Sequence, residues 1–231
     1  MSGLFIVTGA NRGLGRASAE KLLASGKHVV LACRQPEEIK DEFDNQTHAH
    51  VLPLDITSDA SVKAFAEQIK KLDKPIEALI NNAGVFLETS KRTNNHTSLL
   101  EADLKLIQQT IDTNTFGIIR VVQALHSLLQ KGARIVNVAS GMGQLSEMEG
   151  GYPGYRLSKT GVNVLTRILA DELGERGIIV SSVCPGWVKT DMGGPDANRD
   201  IDQGIETIVW LALQIDIESG LFWRDKEVLD W

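Results

Sequence analysis

Short apolar segments alternate with segments of helical periodicity along almost the whole chain. The apolar segments predict strands at Leu4–Val7, His28–Cys33, His50–Leu54, Ala78–Asn81, Arg134–Ala139, Ile178–Cys184 and Gly220–Trp223. The periodic segments predict a helix that ends near Ser25, and then Ala60–Leu72, Leu99–Leu129, Tyr155–Arg176 and Ile201–Gln214. Strands that alternate with helices imply a doubly wound α/β fold with a seven-stranded parallel sheet. No repeat, low-complexity tract or linker divides the sequence, so we expect one domain over residues 1–231.

A glycine-rich turn follows the first predicted strand. It reads Thr8-Gly9-Ala10-Asn11-Arg12-Gly13-Leu14-Gly15 and leads into a helical pattern. Glycines let the backbone turn tightly and approach a pyrophosphate, and the helix N-terminus offers free N–H groups with partial positive charge. A purely structural turn would use the same residues, but strand, turn and helix in this order favour nucleotide binding.

A tyrosine and a lysine stand four residues apart in the fourth predicted helix. At that spacing Tyr155 and Lys159 project from the same face, so the ammonium group can lie beneath the phenol. A nearby cation favours the phenolate, so we expect it to lower the pKa of the phenol from about 10 toward neutral pH. Ser140, at the end of the fifth predicted strand, could hold a substrate oxygen against that phenol. The pair is a weak signal alone and gains weight from the glycine turn.

Several further motifs follow in a fixed order along the chain. They are Asn81-Asn82-Ala83-Gly84, Asn114, Ser140, Tyr155 with Lys159, and Pro185-Gly186 with Thr190. Together with Thr8–Gly15, this set resembles the single-domain short-chain dehydrogenase/reductases, a family with the Rossmann fold. The segments around Tyr155, around Trp187 and at Gly220–Trp231 resemble its carbonyl-reductase-like branch most.

The resemblance implies a catalytic set of Asn114, Ser140, Tyr155 and Lys159. Tyr155 would exchange a proton with the substrate oxygen while a nicotinamide exchanges hydride, and Ser140 would position that oxygen. Lys159 would contact the nicotinamide ribose, and Asn114 would hold a water that connects Lys159 to solvent. Taken alone, Asn114 could merely cap or kink its helix, and Ser140 could bond only to backbone.

The residues after the second strand indicate which cofactor binds. A carboxylate about 20 residues past the glycines would bind the ribose of NAD, but Cys33 and Arg34 stand there, and Arg12 lies in the turn. Two guanidinium groups near a 2′-phosphate predict NADP(H), although both could be solvated surface arginines. The resemblance implies the other cofactor-binding residues, which are Gly9, Asn11, Gly13, Leu14, Gly15, Asp55, Ile56, Asn81, Asn82, Ala83, Gly84, Tyr155, Lys159, Pro185, Gly186, Val188 and Thr190.

The sequence indicates less about the substrate than about the cofactor. Met142, Leu145, Trp187 and Met192 are candidates for an apolar pocket, although each could equally be a core residue. We expect an aldehyde, ketone or quinone as the substrate. Two alternatives remain open, a 3-oxoacyl thioester reductase that docks an acyl carrier protein and a non-catalytic NADP(H)-binding sensor.

Composition limits the other possibilities. The net charge of −6 argues against nucleic acid and membrane surfaces as partners, and the histidines form no recognisable metal site. Cys33 and Cys184 lie in apolar segments, which favours buried free thiols. The N-terminus does not resemble a secretion signal, so we expect a cytoplasmic protein. The resemblance implies a homodimer or homotetramer built on the long helices, since this chain lacks the insertion before Tyr155 that blocks this surface in some carbonyl reductases.

Overall fold

The computed structural model describes residues 3–88 and 98–231. Its strands are β1 Leu4–Thr8, β2 His28–Cys33, β3 Ala49–Pro53, β4 Ile76–Asn81, β5 Leu129–Val138, β6 Ile179–Val183, β7 Leu221–Arg224 and β8 Glu227–Leu229. Its α-helices are α1 Gly13–Ala24, α2 Lys40–Phe43, α3 Asp59–Lys71, α4 Leu104–Ile111, α5 Gly117–Leu125, α6 Pro153–Glu172 and α7 Ile201–Leu213. The alternation of strands and helices predicted from the sequence is confirmed.

All of these strands lie in one sheet of order β3-β2-β1-β4-β5-β6-β7-β8. The first seven are parallel, as predicted, and β8 adds an antiparallel strand at the edge. The strand order reverses between β1 and β4. In doubly wound sheets the crevice at the carboxyl ends of the strands at such a reversal is the usual ligand site.

Two apolar layers cover the sheet. Along β1, Leu4 and Ile6 point to one face, where they pack with side chains of α3, α5 and α6. Phe5 and Val7 point to the other face and pack with α1, α2 and α7. Because both faces are covered, the strands are apolar at nearly every position rather than at alternate ones. This burial holds the carboxyl ends of the strands in a fixed arrangement.

The long helix predicted over Leu99–Leu129 is shorter, covering residues 104–125, and it is not a regular α-helix throughout. The segment contains α4, a π-helical stretch at Asp112–Phe116 and α5, and the chain enters β5 at Leu129, which pairs with Ile76. The π-helical turn inserts a residue into the helix, a feature often found at functional sites. Here it contains Asn114, whose side chain bonds the chain after β4.

The edge strand β8 is absent from the seven-strand prediction. It follows a tight turn in which Asp225 and Lys226 have φ values of +54° and +60°. Turns of this kind with two residues at positive φ usually contain glycine or asparagine, so the sequence does not resemble a hairpin. The helix predicted over Tyr155–Arg176 begins slightly earlier, at Pro153, and ends at Glu172.

Candidate active site

The glycine turn lies at the carboxyl end of β1. Gly9 and Gly13 have φ values of +66° and +55°, in a region that favours glycine. Helix α1 begins directly after Arg12, which makes no side-chain cap, and its first turn contains no acidic residue. The first N–H groups of α1 therefore remain available for an anion, which fits a pyrophosphate.

Thr8 and Asn82 tie this turn to the end of β4. The Thr8 hydroxyl accepts hydrogen bonds from the backbone N–H groups of Asn82 and Ala83, both at 3.0 Å. The Asn82 side-chain amide donates to Thr8 O at 2.9 Å and Gly9 O at 3.3 Å. A Cβ at Gly15 would collide with that amide, so the helix approaches only because residue 15 is glycine. The predicted motifs at Thr8–Gly15 and Asn81–Gly84 thus meet.

Arg34 and Asp55 lie at the same edge of the sheet, beyond β2 and β3. Arg34 is exposed, and Thr57 donates to Asp55 Oδ1 from its N–H and from its hydroxyl. Burial acts to raise the pKa of Asp55, but the bonds from Thr57 and the charges of Arg34 and Arg120 hold it below its usual value. Asp55 is therefore an ionised acceptor at neutral pH, as a contact to an amino group requires.

Two of the predicted cofactor residues face the protein interior. Ile56 is buried, and a Cβ at Gly117 would lie 2.7 Å from its Cδ1, so Ile56 packs tightly against α5. The Asn81 amide donates to Asn137 Oδ1 at 2.8 Å between β4 and β5. The side chains of Ile56 and Asn81 therefore support the site from the protein interior, while their backbone lies at the edge of the sheet.

Arg12 is paired across the site. Its Nη1 lies 3.0 Å from Oδ2 of Asp191, in the loop after β6, and the two side chains remain 70% and 75% exposed. Beside this pair, Thr190 Cγ2 would lie 3.6 Å from a Cβ at Gly13. The loop after β6 therefore touches the glycine turn.

Ser140, Tyr155 and Lys159 meet where β5 ends and α6 begins. The Ser140 side chain bonds Tyr155 and also accepts from Met142 N at 3.2 Å. Lys159 is buried, donates to Val138 O at 2.8 Å, and has its Nζ 5.6 Å from the centroid of the Tyr155 ring. The structure thus brings together the three residues that the sequence singled out.

The protonation behaviour of this cluster differs from the sequence expectation. Burial raises the pKa of Tyr155 to about 12, against the hydrogen bond with Ser140, which lowers it. Burial also lowers the pKa of Lys159 to about 8. The prediction that Lys159 lowers the pKa of the phenol is wrong in this structure, because desolvation disfavours the charged form of both groups.

Asn114 is held tightly beside this cluster. Its Oδ1 accepts from Val85 N at 2.7 Å, and its Nδ2 donates to Val85 O at 2.9 Å and to Ser158 Oγ at 3.0 Å. A Cβ at Gly84 would lie 3.2 Å from Asn114 Oδ1 and 3.6 Å from Lys159 Nζ. Gly84 therefore leaves a narrow space between the asparagine and the lysine.

The loop after β6 contains Pro185, Gly186, Val188 and Thr190. Gly186 has a φ of +79°, and a Cβ there would collide with the guanidinium group of Arg199. The chain folds back on itself, since Arg199 N donates to Trp187 O and Lys189 N donates to Arg199 O. Val188 is buried against α7, where a Cβ at Gly204 would lie 2.7 Å from its Cγ2.

Three of the four predicted pocket residues are exposed apolar side chains. Leu145, Trp187 and Met192 are exposed, and Met142 is half-buried beside Ser140. The indole Nε1 of Trp187 donates to Gly193 O at 2.7 Å, which fixes the ring in its loop. Leu145, Trp187 and Met192 are therefore surface rather than core residues.

Three contacts at the site were not anticipated from the sequence. Phe86 packs edge-on against the Tyr155 ring, with centroids 4.9 Å apart. Glu88 is buried and accepts from the N–H of Tyr155. Cys184 Sγ accepts from the N–H groups of Gly141 and Gly186. No motif surrounds Phe86 or Glu88, whereas the position of Cys184 directly before Pro185 was a usable signal. Both cysteines are free and buried, as expected.

The described residues were also compared with what a metal site and a membrane-spanning helix require. Over residues 3–88 and 98–231, the histidine, cysteine and acidic side chains form no group of three that could hold a metal ion. In those same ranges, none of the helices combines the length and the apolar character needed to cross a bilayer.

A dinucleotide-binding α/β oxidoreductase is the class that this fold and this cluster define. The model of the short chain dehydrogenase family matches residues 4–200, and the chain belongs to this family. The chain is 32% identical to carbonyl reductase (NADPH) 1 of Mus musculus, with 98% of this chain and 97% of the relative covered. That alignment runs over 277 positions against 231 residues here, so the mouse protein has insertions relative to this chain.

Two further relatives bear on the activity. A solved structure of NADPH-bound carbonyl reductase from chicken fatty liver superposes with a TM-score of 0.88 at 29% identity, covering 100% of this chain and 99% of that chain. A 3-oxoacyl-acyl-carrier-protein reductase of Aquifex aeolicus is 33% identical over 194 residues, or 81% of this chain and 74% of the relative. The predicted family and fold are therefore confirmed, and the protein is an oxidoreductase.

Proposed function

We propose that the protein reduces a carbonyl group of an aldehyde, ketone or quinone to an alcohol with NADPH. The observation that carries this proposal is the cluster of Ser140, Tyr155 and Lys159 at the same edge of the sheet as the glycine turn and its uncapped helix. The mouse and chicken relatives, both carbonyl reductases that use NADPH by name, support the same activity.

Tyr155 is the proton donor in this proposal. When bound, the reduced nicotinamide supplies the hydride. The phenol, with a pKa of about 12, stays protonated at neutral pH and is ready to protonate the substrate oxygen. The Ser140 hydroxyl, already bonded to Tyr155, donates to the same oxygen and orients the carbonyl.

Lys159 holds the ribose side of the cofactor and resupplies protons. One of its three N–H groups is used by Val138 O, which leaves two for ribose hydroxyls and for a proton path. Gly84 leaves space between Lys159 and Asn114, and we assign to that space the water that connects the ammonium group to solvent. Asn114 positions this path through its bonds to Val85 and Ser158.

The remaining cofactor contacts follow the edge of the sheet. Arg12 and Arg34 leave the carboxyl ends of neighbouring strands β1 and β2, so both can reach a 2′-phosphate. Asp55, ionised and bonded at Oδ1 by Thr57, contacts the adenine amino group in this proposal. Pro185–Thr190 flanks the nicotinamide.

A 3-oxoacyl thioester reductase is the second candidate, favoured by the Aquifex relative. Such an enzyme needs a basic surface for an acidic carrier protein. The three arginines of the α6 region are held by the protein's own groups: Arg156 by Gly151 O, Arg167 by Gly220 O and Arg176 by His126 O. Arg156 also pairs with Glu149, and Asp171, Glu172 and Glu175 lie in the same region. These acidic groups offset the arginines, so we rank the thioester below a small carbonyl.

A panel assay tests the activity. Purified protein is mixed with aldehydes, ketones, quinones and a 3-oxoacyl thioester, each with NADPH and with NADH, and cofactor oxidation is followed. We expect turnover of several carbonyls with NADPH. Turnover confined to the thioester would establish the second candidate, and a preference for NADH would contradict the roles of Arg12 and Arg34.

The apolar surface of the long helices supports a homodimer or homotetramer. Large apolar side chains on α4, α6 and the π-helical stretch are exposed; they are Leu104, Phe116, Leu157, Val164 and Ile168. Such a patch on an isolated chain is typical of a protein interface. Light scattering that gave only a 25.2 kDa particle would contradict this, and V164R is expected to dissociate the oligomer.

We also propose a cytoplasmic location. Cys33 and Cys184 are buried free thiols, which are stable in a reducing compartment. Fractionation of the source cells checks the location, and recovery of the protein in a secreted or membrane fraction would contradict it.

A further inference from the structure

Glu88 is a buried carboxylate with no part in the proposed proton and hydride transfers. Its residue is only 3% exposed, although it lies four positions after Gly84 at the surface edge of the sheet. Its Oε1 accepts from Gly154 N at 3.0 Å and its Oε2 accepts from Tyr155 N at 2.7 Å. Both oxygens thus bind the first turn of α6, and one of them binds the backbone of the tyrosine itself.

The start of α6 depends on this carboxylate. The residue before the helix, Tyr152, has a φ of +52° and provides no side-chain cap, and Pro153 has no N–H. The N–H of Arg156 is satisfied by Tyr152 O at 3.0 Å. The N–H groups of Gly154 and Tyr155 are left, and Glu88 accepts both from 66 and 67 residues away. A carboxylate at a helix N-terminus makes strong, charge-assisted bonds.

The residues around the start of α6 leave room for the Glu88 carboxylate. A Cβ at Gly154 would lie 3.2 Å from Glu88 Oε2 and 3.0 Å from the Cα of Ile107, so glycine is needed for the carboxylate to enter. Two residues before Glu88, the ring of Phe86 packs against the rings of Tyr152 and Tyr155. The segment that holds Asn114 through Val85 therefore also holds the catalytic helix.

We propose that Glu88 is a positioning residue that fixes Tyr155 relative to Ser140 and Lys159. This inference rests on the proposed function, in which the Tyr155 phenol must meet a substrate oxygen. A shift of about 1 Å in a reacting group can cost about 100-fold in rate. Loss of the Glu88 contacts frees the first turn of α6 to move, while the glycine turn and Asp55, which bind the cofactor, lie elsewhere.

Glu88→Gln is the test variant, because it keeps the shape but offers only one acceptor oxygen to two N–H donors. Glu77→Gln is the matched control: Glu77 is a half-buried carboxylate at the other end of β4, bonded to Gly3 N and Arg134. We expect E88Q to lower kcat about 10- to 100-fold with the KM for NADPH within about two-fold. E77Q is expected to lose stability without loss of kcat.

The position of Tyr155 is read separately by NMR of protein labelled with 15N-tyrosine. The chain contains two tyrosines, so Tyr152→Phe assigns the Tyr155 amide resonance at once. We expect that resonance to shift and its hydrogen exchange to quicken in E88Q but not in E77Q. An unchanged resonance, or a changed resonance with kcat unaltered, would overturn the inference. Absence of turnover by the unmodified protein would instead overturn the proposed function, and the resonance alone would then decide whether Glu88 holds Tyr155.

Discussion

Arg12 and Asp191 form a salt bridge between the glycine turn and the loop after β6, with 3.0 Å between Nη1 and Oδ2. Arg12 is one of the two arginines assigned to the 2′-phosphate of NADPH, so the phosphate and Asp191 compete for the same guanidinium group. In the proposed function, this ion pair couples the cofactor's phosphate to the loop assigned to the nicotinamide.

Asp191→Asn is expected to tighten NADPH binding. Both side chains are largely exposed, and exposed pairs are worth about 0.2–1 kcal/mol, so we expect Kd for NADPH to fall by up to about five-fold, with Kd for NADH nearly unchanged. Fluorescence titration measures both. Asp196→Asn removes the same charge from the same exposed loop and is the control. If both variants changed Kd for NADPH equally, Asp191 would act only through the negative charge it adds to the loop. That result would contradict a specific effect of its ion pair with Arg12.

We expect Lys159 to set the alkaline limit of the proposed carbonyl reduction. Its pKa of about 8 means that the ammonium group is present below this pH and is lost above it, while Tyr155 stays protonated up to a pKa of about 12. Because kcat/KM reports groups of the free enzyme, we expect kcat/KM to be level near neutral pH and to fall above about pH 8. Lys159→Arg keeps a charge over this range and should move the limit upward. A profile flat to pH 10 would contradict this role.

Asn114→Ala is expected to destabilise the fold as well as the site. The substitution leaves the N–H of Val85, in the segment after β4, without its side-chain acceptor, at a cost of about 1–3 kcal/mol. Urea unfolding measures this change. Thr113→Ala, which removes one hydroxyl bond from the same π-helical stretch, is the control and should cost less. Equal losses of unfolding free energy in the two variants would contradict a stabilising role for the hydrogen bonds between Asn114 and Val85.

The sequence predicted several parts of this site well, because each of them depends on residues that are close together in the chain. The strand at Leu4–Val7, the glycines that follow and the pair of Tyr155 and Lys159 depend on residues a few positions apart. Backbone rules therefore suffice to recognise them. No local pattern specifies the order of the strands within the sheet, yet their alternation with helices left a parallel sheet as the natural arrangement.

What the sequence did not predict depends on distant contacts. Glu88 caps a helix that begins more than 60 residues later. No local spacing in the sequence indicates that this carboxylate and that helix meet. Asn114 lies in a π-helical stretch and bonds Val85, and the helical periodicity of the sequence indicates neither feature. The raised pKa of Tyr155 likewise depends on how deeply the phenol is enclosed.

In the proposed function, Tyr155 donates the proton to the substrate oxygen during carbonyl reduction. The most direct measurement is the NADPH-dependent turnover of Tyr155→Phe on a carbonyl that the unmodified protein reduces, together with Kd for NADPH. Removal of one hydroxyl should lower kcat by about 10²- to 10⁴-fold, since the proton source is lost, while Kd stays within about two-fold. A Y155F variant that retained full turnover would contradict the assignment.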